Sequence, residues 1–148
     1  MAVKDLSKKP FINDRDENVF IGIDLPFRKS DGTEGWFAST TDTISAVKNN
    51  IANLLRTHKG ERFFQPNLGL NLRKYIFEQY TEDLRELIYI YIRYTFKFWL
   101  PFVQVRKLDI NITPADNNIG QNVIYINVVF NITQDPNTLE SVQVTIGD

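Results

Sequence analysis

The sequence predicts an α+β fold in which helices pack on one face of a small antiparallel β-sheet. Two observations carry this. Apolar residues recur at spacings of three and four through 42–57 and 82–99. Apolar residues alternate with polar ones through much of 105–112, 122–133 and 139–146. The 148 residues suit one domain with a real core. Residues 1–18 are polar and charged, with Asp14, Asp16 and Glu17, and are expected to form a flexible arm; 19–148 form the domain.

The elements follow in order. Residues 19–28 are strand-like. The run at 30–35 has turn chemistry, because Gly32 and Gly35 can take positive φ, and Trp36-Phe37 is expected to return as a short strand. Thr41 or Asp42 can cap the helix 42–57. Its inward stripe is Ile44, Val47, Ile51, Leu54 and Leu55, with Lys48, Asn49, Asn50 and Asn53 outside. Arg56, His58 and Lys59 suit the negative pole of the helix, and Gly60 is expected to close it with a left-handed cap. A short helix is predicted over 70–78, with Leu72, Tyr75 and Ile76 inward.

Thr81 caps the long helix 82–99. One stripe is Leu84, Leu87, Ile88, Tyr91, Thr95 and Phe98; a second is Tyr89, Ile92, Phe96 and Trp99. A helix apolar on two sides is expected to bury both, part of it against another chain. Pro101 ends it. Three strands follow as a meander, with a loop at 113–121 and a turn at 135–138. The last stretch, 139–146, is expected at a sheet edge. It has no lysine, arginine or proline and only Glu140 for charge, so it is open to strand addition.

The chemistry is mostly exclusion. A net charge of −1 gives no basic field for nucleic acid, and Arg73, Lys74, Arg85, Arg93 and Lys97 are interleaved with Glu78, Glu82, Asp83 and Glu86. No cysteine and one histidine exclude a thiolate or multi-histidine metal centre. The Asp14/Asp16/Asn18 and Asp116/Asn118/Gly120 spacings do not complete a calcium loop. Neither a phosphate loop nor a nucleophile elbow is present, and no cofactor is expected. The apolar run 88–102 is too short to span a membrane and is interrupted by Arg93 and Lys97; the N-terminus has no signal-peptide core. The sequons at 111–113 and 131–133 therefore carry no meaning for a chain made in the cytoplasm.

One enzymatic option needs weighing. A glycosidase uses two carboxylates, and Glu61 with Asp24, Glu78 or Asp83 could be proposed. Arg62 adjoins Glu61, however, and an arginine partner depresses a carboxyl pKa, which is wrong for a general acid. The bland alternative is that Glu61 and Arg62 form ion pairs and hydrogen bonds that fix a tight loop.

The sequence from 46 onward carries a more specific pattern: a helix ending in Leu54-Leu55, then Thr57, Gly60-Glu61-Arg62, an apolar pair, Pro66, Gly69 and Leu72. This resembles the baseplate wedge family of contractile phage tails, the sheath initiators, related to the E-type baseplate subunit of type VI secretion. The resemblance spans roughly 35–146. Family members often carry Glu-Pro-Arg after the long helix; here that place reads Leu100-Pro101-Phe102, so the contact would be apolar or Arg106 would replace the lost arginine. The resemblance implies a non-enzymatic subunit of a sixfold assembly in the virion tail, without cofactor, nucleic acid or membrane. Its implied partners are other wedge proteins, met through residues such as Glu61 and Arg62, and the tail sheath protein, met through the terminal strand with Val142, Val144 and Ile146. The equivalent subunit of a type VI or other contractile injection system is the alternative. Some family members are labelled lysozyme-like, which these residues do not support. Deleting 139–148 is then expected to leave a folded domain that enters baseplates but cannot start a sheath.

Overall fold

The computed structural model describes residues 20–24, 27–29, 36–79, 81–114 and 122–147. The arm at 1–18, the turn at 30–35 and most of the 113–121 loop lie outside them. The order is β1 (Gly22–Ile23), β2 (Ser39–Thr40), α1 (Thr43–Arg56), a 3-10 helix (Leu72–Phe77), α2 (Glu82–Trp99), β3 (Val103–Pro114), β4 (Asn122–Ile132) and β5 (Asp135–Ile146). β1 and β2 form a small antiparallel pair, continued by a bridge between Lys29 and Phe37. The return strand therefore pairs mainly at 39–40, slightly later than Trp36-Phe37.

α1 begins where the carboxylate of Asp42 accepts from the Ser45 N–H at 2.9 Å. It stops at Thr57, not at Gly60. Thr57 directs both its N–H (2.9 Å) and its hydroxyl (2.7 Å) to the Asn53 carbonyl while its own backbone turns extended. Gly60 does have positive φ, +88°, but spends it on a turn beyond the helix. Thr81 caps α2 by accepting from Leu84 N–H at 3.2 Å.

The three long strands form one antiparallel sheet in the order β3-β4-β5. Asp109, Asn127 and Gln143 stand in register across it. The β4–β5 turn lies at Thr133-Gln134, so β5 starts at Asp135, where a turn was expected. A register shift between Val105 and Lys107 leaves Arg106 as the extra residue of a bulge.

The helices cover one face of the sheet, α1 over β5 and α2 over β3, as the α+β reading expects. One core results: Val47, Ile51, Leu54 and Leu55 from α1, Leu72, Tyr75 and Ile76 from the 3-10 helix, Ile88, Ile92 and Phe96 from α2, and Ile124, Ile126, Val128 and Phe130 from β4. The buried face of α2 cuts across both expected stripes, taking Leu84, Ile88, Ile92, Thr95 and Phe96. Leu87, Ile90, Tyr94 and Phe98 are left exposed by this chain.

Candidate partner-binding surfaces

The loop from Thr57 to Leu70 is built as a closed base with a projecting tip. The Leu70 N–H donates to the Thr57 carbonyl at 2.8 Å, and the Gly60 N–H to the Pro66 carbonyl at 2.7 Å. Lys59 N–H donates to Asn71 Oδ1 at 3.1 Å. Glu61 is part of this frame: its Oε2 accepts the His58 N–H at 2.9 Å. It makes no ion pair with Arg62, so the expected Glu61–Arg62 pairing is corrected: the acid latches the backbone behind it. The reason is local. The His58 amide is left orphaned where α1 stops, and a carboxylate three residues on is well placed to satisfy it. Beyond the latch stand Phe63 and Phe64, 91% and 89% exposed, edge to face with centroids 5.3 Å apart. Nothing in the local pattern foretells this, because an apolar pair inside a loop reads as core.

The residues after α2 form a second corner. Leu100 is buried and belongs to the core, whereas Pro101 and Phe102 are exposed. Thr133 donates to the Phe102 carbonyl from its N–H at 2.9 Å and its hydroxyl at 3.0 Å, which pins the α2–β3 corner to the β4–β5 turn. Arg106 is held beside it by donating from Nε to Asn131 Oδ1 at 2.8 Å. Asn131 is 1% exposed and its Nδ2 has no hydrogen-bond partner. Phe102 and Arg106 thus present an apolar and a cationic group on one stiff corner.

The third surface is the free edge of β5. Val142, Val144 and Ile146 point into the core, so what β5 offers outward is backbone together with Leu139, Ser141, Gln143 and Thr145. Over 139–146 its one charged residue, Glu140, is engaged by Lys48 of α1 at 2.7 Å; Asp135 and Pro136 stand at its turn end. The opposite edge, β3, differs. It has a bulge at Arg106 and the exposed Lys107 bonded to Asp109 at 2.7 Å. Those are the features that discourage strand addition.

A fourth surface lies on α2. Leu87, Ile90, Tyr91 and Tyr94 floor a shallow groove of about 550 Å³, edged by Asp83 and Glu86 and closed at one side by Tyr75. Lys59 Nζ stands 4.9 Å over the Tyr91 ring, and Lys74 Nζ 4.5 Å over the Tyr75 ring. The Tyr75 hydroxyl, by hydrogen bonding and charge, raises the pKa of Lys74.

Two of the carboxylates weighed for hydrolysis, Glu61 and Asp24, are engaged by other groups. Glu61 is exposed and its carboxylate is tied to its own loop. Asp24, a suggested second carboxylate, is paired with Arg28. Among the described residues no group of three or more His, Asp or Glu side chains could hold a metal ion, and no helix is long and apolar enough to cross a membrane.

Residues 41–137, more than half of the chain, match the family described as baseplate wedge protein gp25. The chain belongs to that family. This gp25-family protein is accordingly a structural baseplate component of contractile tails and related injection systems. It is similar to the baseplate wedge protein gp25 of Enterobacteria phage T4, with 21% identity over 104 residues, 70% of this chain and 75% of the relative. Among solved structures it resembles a chain of the six-fold symmetrised anti-feeding prophage baseplate, at 20% identity and a TM-score of 0.57, covering 76% of this chain and 85% of that one. It also resembles a Geobacter sulfurreducens protein named as a tail lysozyme, at 18% identity and a TM-score of 0.57, covering 72% and 91%. These two likenesses are of fold; the lysozyme name belongs to the Geobacter protein.

Proposed function

We propose that this gp25-family chain sits in the baseplate wedge of a contractile tail and templates sheath polymerisation by accepting a strand of the tail sheath protein along the free edge of β5. The asymmetry of the two sheet edges carries the reading. Residues 139–146 hold no lysine, arginine or proline, and Glu140 is drawn to Lys48, so an incoming strand meets unguarded backbone. β5 pairs in unbroken register over 140–146, its own irregularity lying nearer the turn, whereas β3 carries the Arg106 bulge and the charged Lys107–Asp109 pair. The stiff corner at Phe102 and Arg106 and the loop latched by Glu61 face neighbouring wedge subunits, one set per wedge in a sixfold particle. The chain acts in the virion tail, and it acts without catalysis.

Guarding the edge tests this. Ser141 and Gln143 are exposed, so Ser141→Lys with Gln143→Lys is expected to fold normally, enter baseplates, and reduce sheath initiation at least tenfold, scored as sheathed tails by electron microscopy. Wild-type numbers of sheathed tails would count against strand addition at β5. The enzymatic alternative has its own test. Glu61→Gln removes a charge but keeps an acceptor for the His58 N–H, so it is expected to change stability by less than about 1 kcal/mol. In a peptidoglycan-release assay it is expected to match wild type at background. A wild-type signal lost in Glu61→Gln would instead establish a hydrolase.

A further inference from the structure

We propose that two copies of the free chain pair about a twofold axis, each seating its Phe63–Phe64 knob in the α2 groove of the other. This goes beyond the baseplate reading and does not rest on it, since it concerns the isolated subunit.

Shape is the first argument. Two aromatic rings about nine-tenths exposed, held edge to face on a loop whose base is closed by four hydrogen bonds, are costly to leave in water and rigid enough to bind without much ordering. The groove is open and apolar, and its Leu87, Ile90 and Tyr94 are left exposed by this chain.

Charge is the second. Arg62 adjoins the knob without pairing to Glu61, whose carboxylate is turned back to His58. Asp83 and Glu86 line the groove with the exposed Leu87, Ile90 and Tyr94, while its cations, Lys59 and Lys74, stand over Tyr91 and Tyr75. A partner's knob brings Arg62 to those acids as its rings enter.

Placement is the third. Lys59, in the base of the knob loop, stands over Tyr91 of the groove floor, and Tyr75 of the groove follows the loop by a few residues. Knob and groove are therefore neighbours on one side of the molecule. A twofold axis between them forms both contacts at once and closes the assembly at two copies.

Area is the fourth. An aromatic side chain buries roughly 150–250 Å². Four rings and the walls that receive them remove roughly 1,200–2,000 Å², which is the range of a stable specific interface.

The test is sedimentation equilibrium of the purified full chain from about 1 μM to about 1 mM. Wild type is expected to reach twice its 17.2 kDa mass within that range. Phe63→Ser with Phe64→Ser removes the knob; Ile90→Ser with Tyr94→Ser removes the groove. All four residues are at least 60% exposed, so both variants are expected to keep the wild-type circular dichroism and melting profile. Each alone is expected to dissociate at least thirtyfold more readily. An equimolar mixture is expected to recover a heterodimer, because the intact knob of one meets the intact groove of the other. A monomeric wild type throughout, a dimer unchanged in either variant, or no recovery on mixing would overturn the proposal. A monomeric wild type would leave the knob and groove to other subunits.

Discussion

Gly69→Ala is expected to destabilise the protein by about 3–5 kcal/mol and to lower its melting temperature by roughly 10 °C. Two costs add. Gly69 sits at φ +102°, where an L side chain is strained by about 1–3 kcal/mol. A Cβ there would also lie 2.2 Å from the Thr57 carbonyl oxygen. That oxygen accepts from Leu70 N–H, and Leu70 is fully buried, so relief of the clash breaks a bond inside the core. Losing a buried hydrogen bond costs about 1–3 kcal/mol. Gly60→Ala is the internal control. Gly60 has φ +88° but nothing within 4 Å of the added methyl, so only the backbone cost of about 1–3 kcal/mol applies, without the lost hydrogen bond. Thermal melts of the two variants should therefore separate widely. Equal, small shifts would mean that the loop base yields.

Deletion of 139–148 is expected to abolish cooperative folding, which reverses the expectation drawn from sequence. β5 is an edge strand, but it is not an appendage. Val142, Val144 and Ile146 are 9%, 2% and 7% exposed, and α1 packs over them. Burial of each contributes about 1.5–3 kcal/mol. The three together approach the whole stability of a domain, about 5–15 kcal/mol, before the ladder to β4 is counted. The truncated chain is expected to show a collapsed amide dispersion by NMR and no melting transition. A folded truncation would show that the core closes over β3 and β4 alone. This is why the sheath proposal is tested with lysines on exposed positions and not by deletion.

Much of this architecture is legible in the sequence, and the failures are local. α1 and α2 come out nearly to the residue because period and caps agree: Asp42, one of the two expected caps, and Thr81 cap them, and Val47, Ile51, Leu54 and Leu55 bury as a stripe. β4 comes out because every second residue from Ile124 to Ile132 is apolar, and all five are buried. The stop of α1 does not, because Gly60 is the louder signal; the real stop is Thr57, whose hydroxyl competes for the Asn53 carbonyl. The turn at 135–138 fails for a similar reason. Its composition is that of a turn, but Ile132 pairs with Asp135, so the chain reverses at 133–134 and the extra residues of β5 fall in the irregularity between Asp135 and Glu140.

The surfaces are less legible than the core. Adjacent charges at Glu61 and Arg62 suggest a pair, yet an orphan amide at the end of α1 outcompetes the arginine. The bulge at Arg106 and its bond to Asn131 depend on strand register, which no local pattern encodes. Phe63 and Phe64 are invisible as a knob until the loop base is seen to close behind them.

Amide hydrogen exchange on assembled particles tests the central proposal most directly. An edge strand has alternate N–H groups unpaired and free to exchange. In baseplates without sheath, alternate amides of 139–146 are expected to exchange rapidly, and sheath addition is expected to slow them at least tenfold while the outer amides of β3 stay unchanged. Unchanged exchange at β5 after sheath addition, or protection at β3 in its place, would contradict strand addition at this edge.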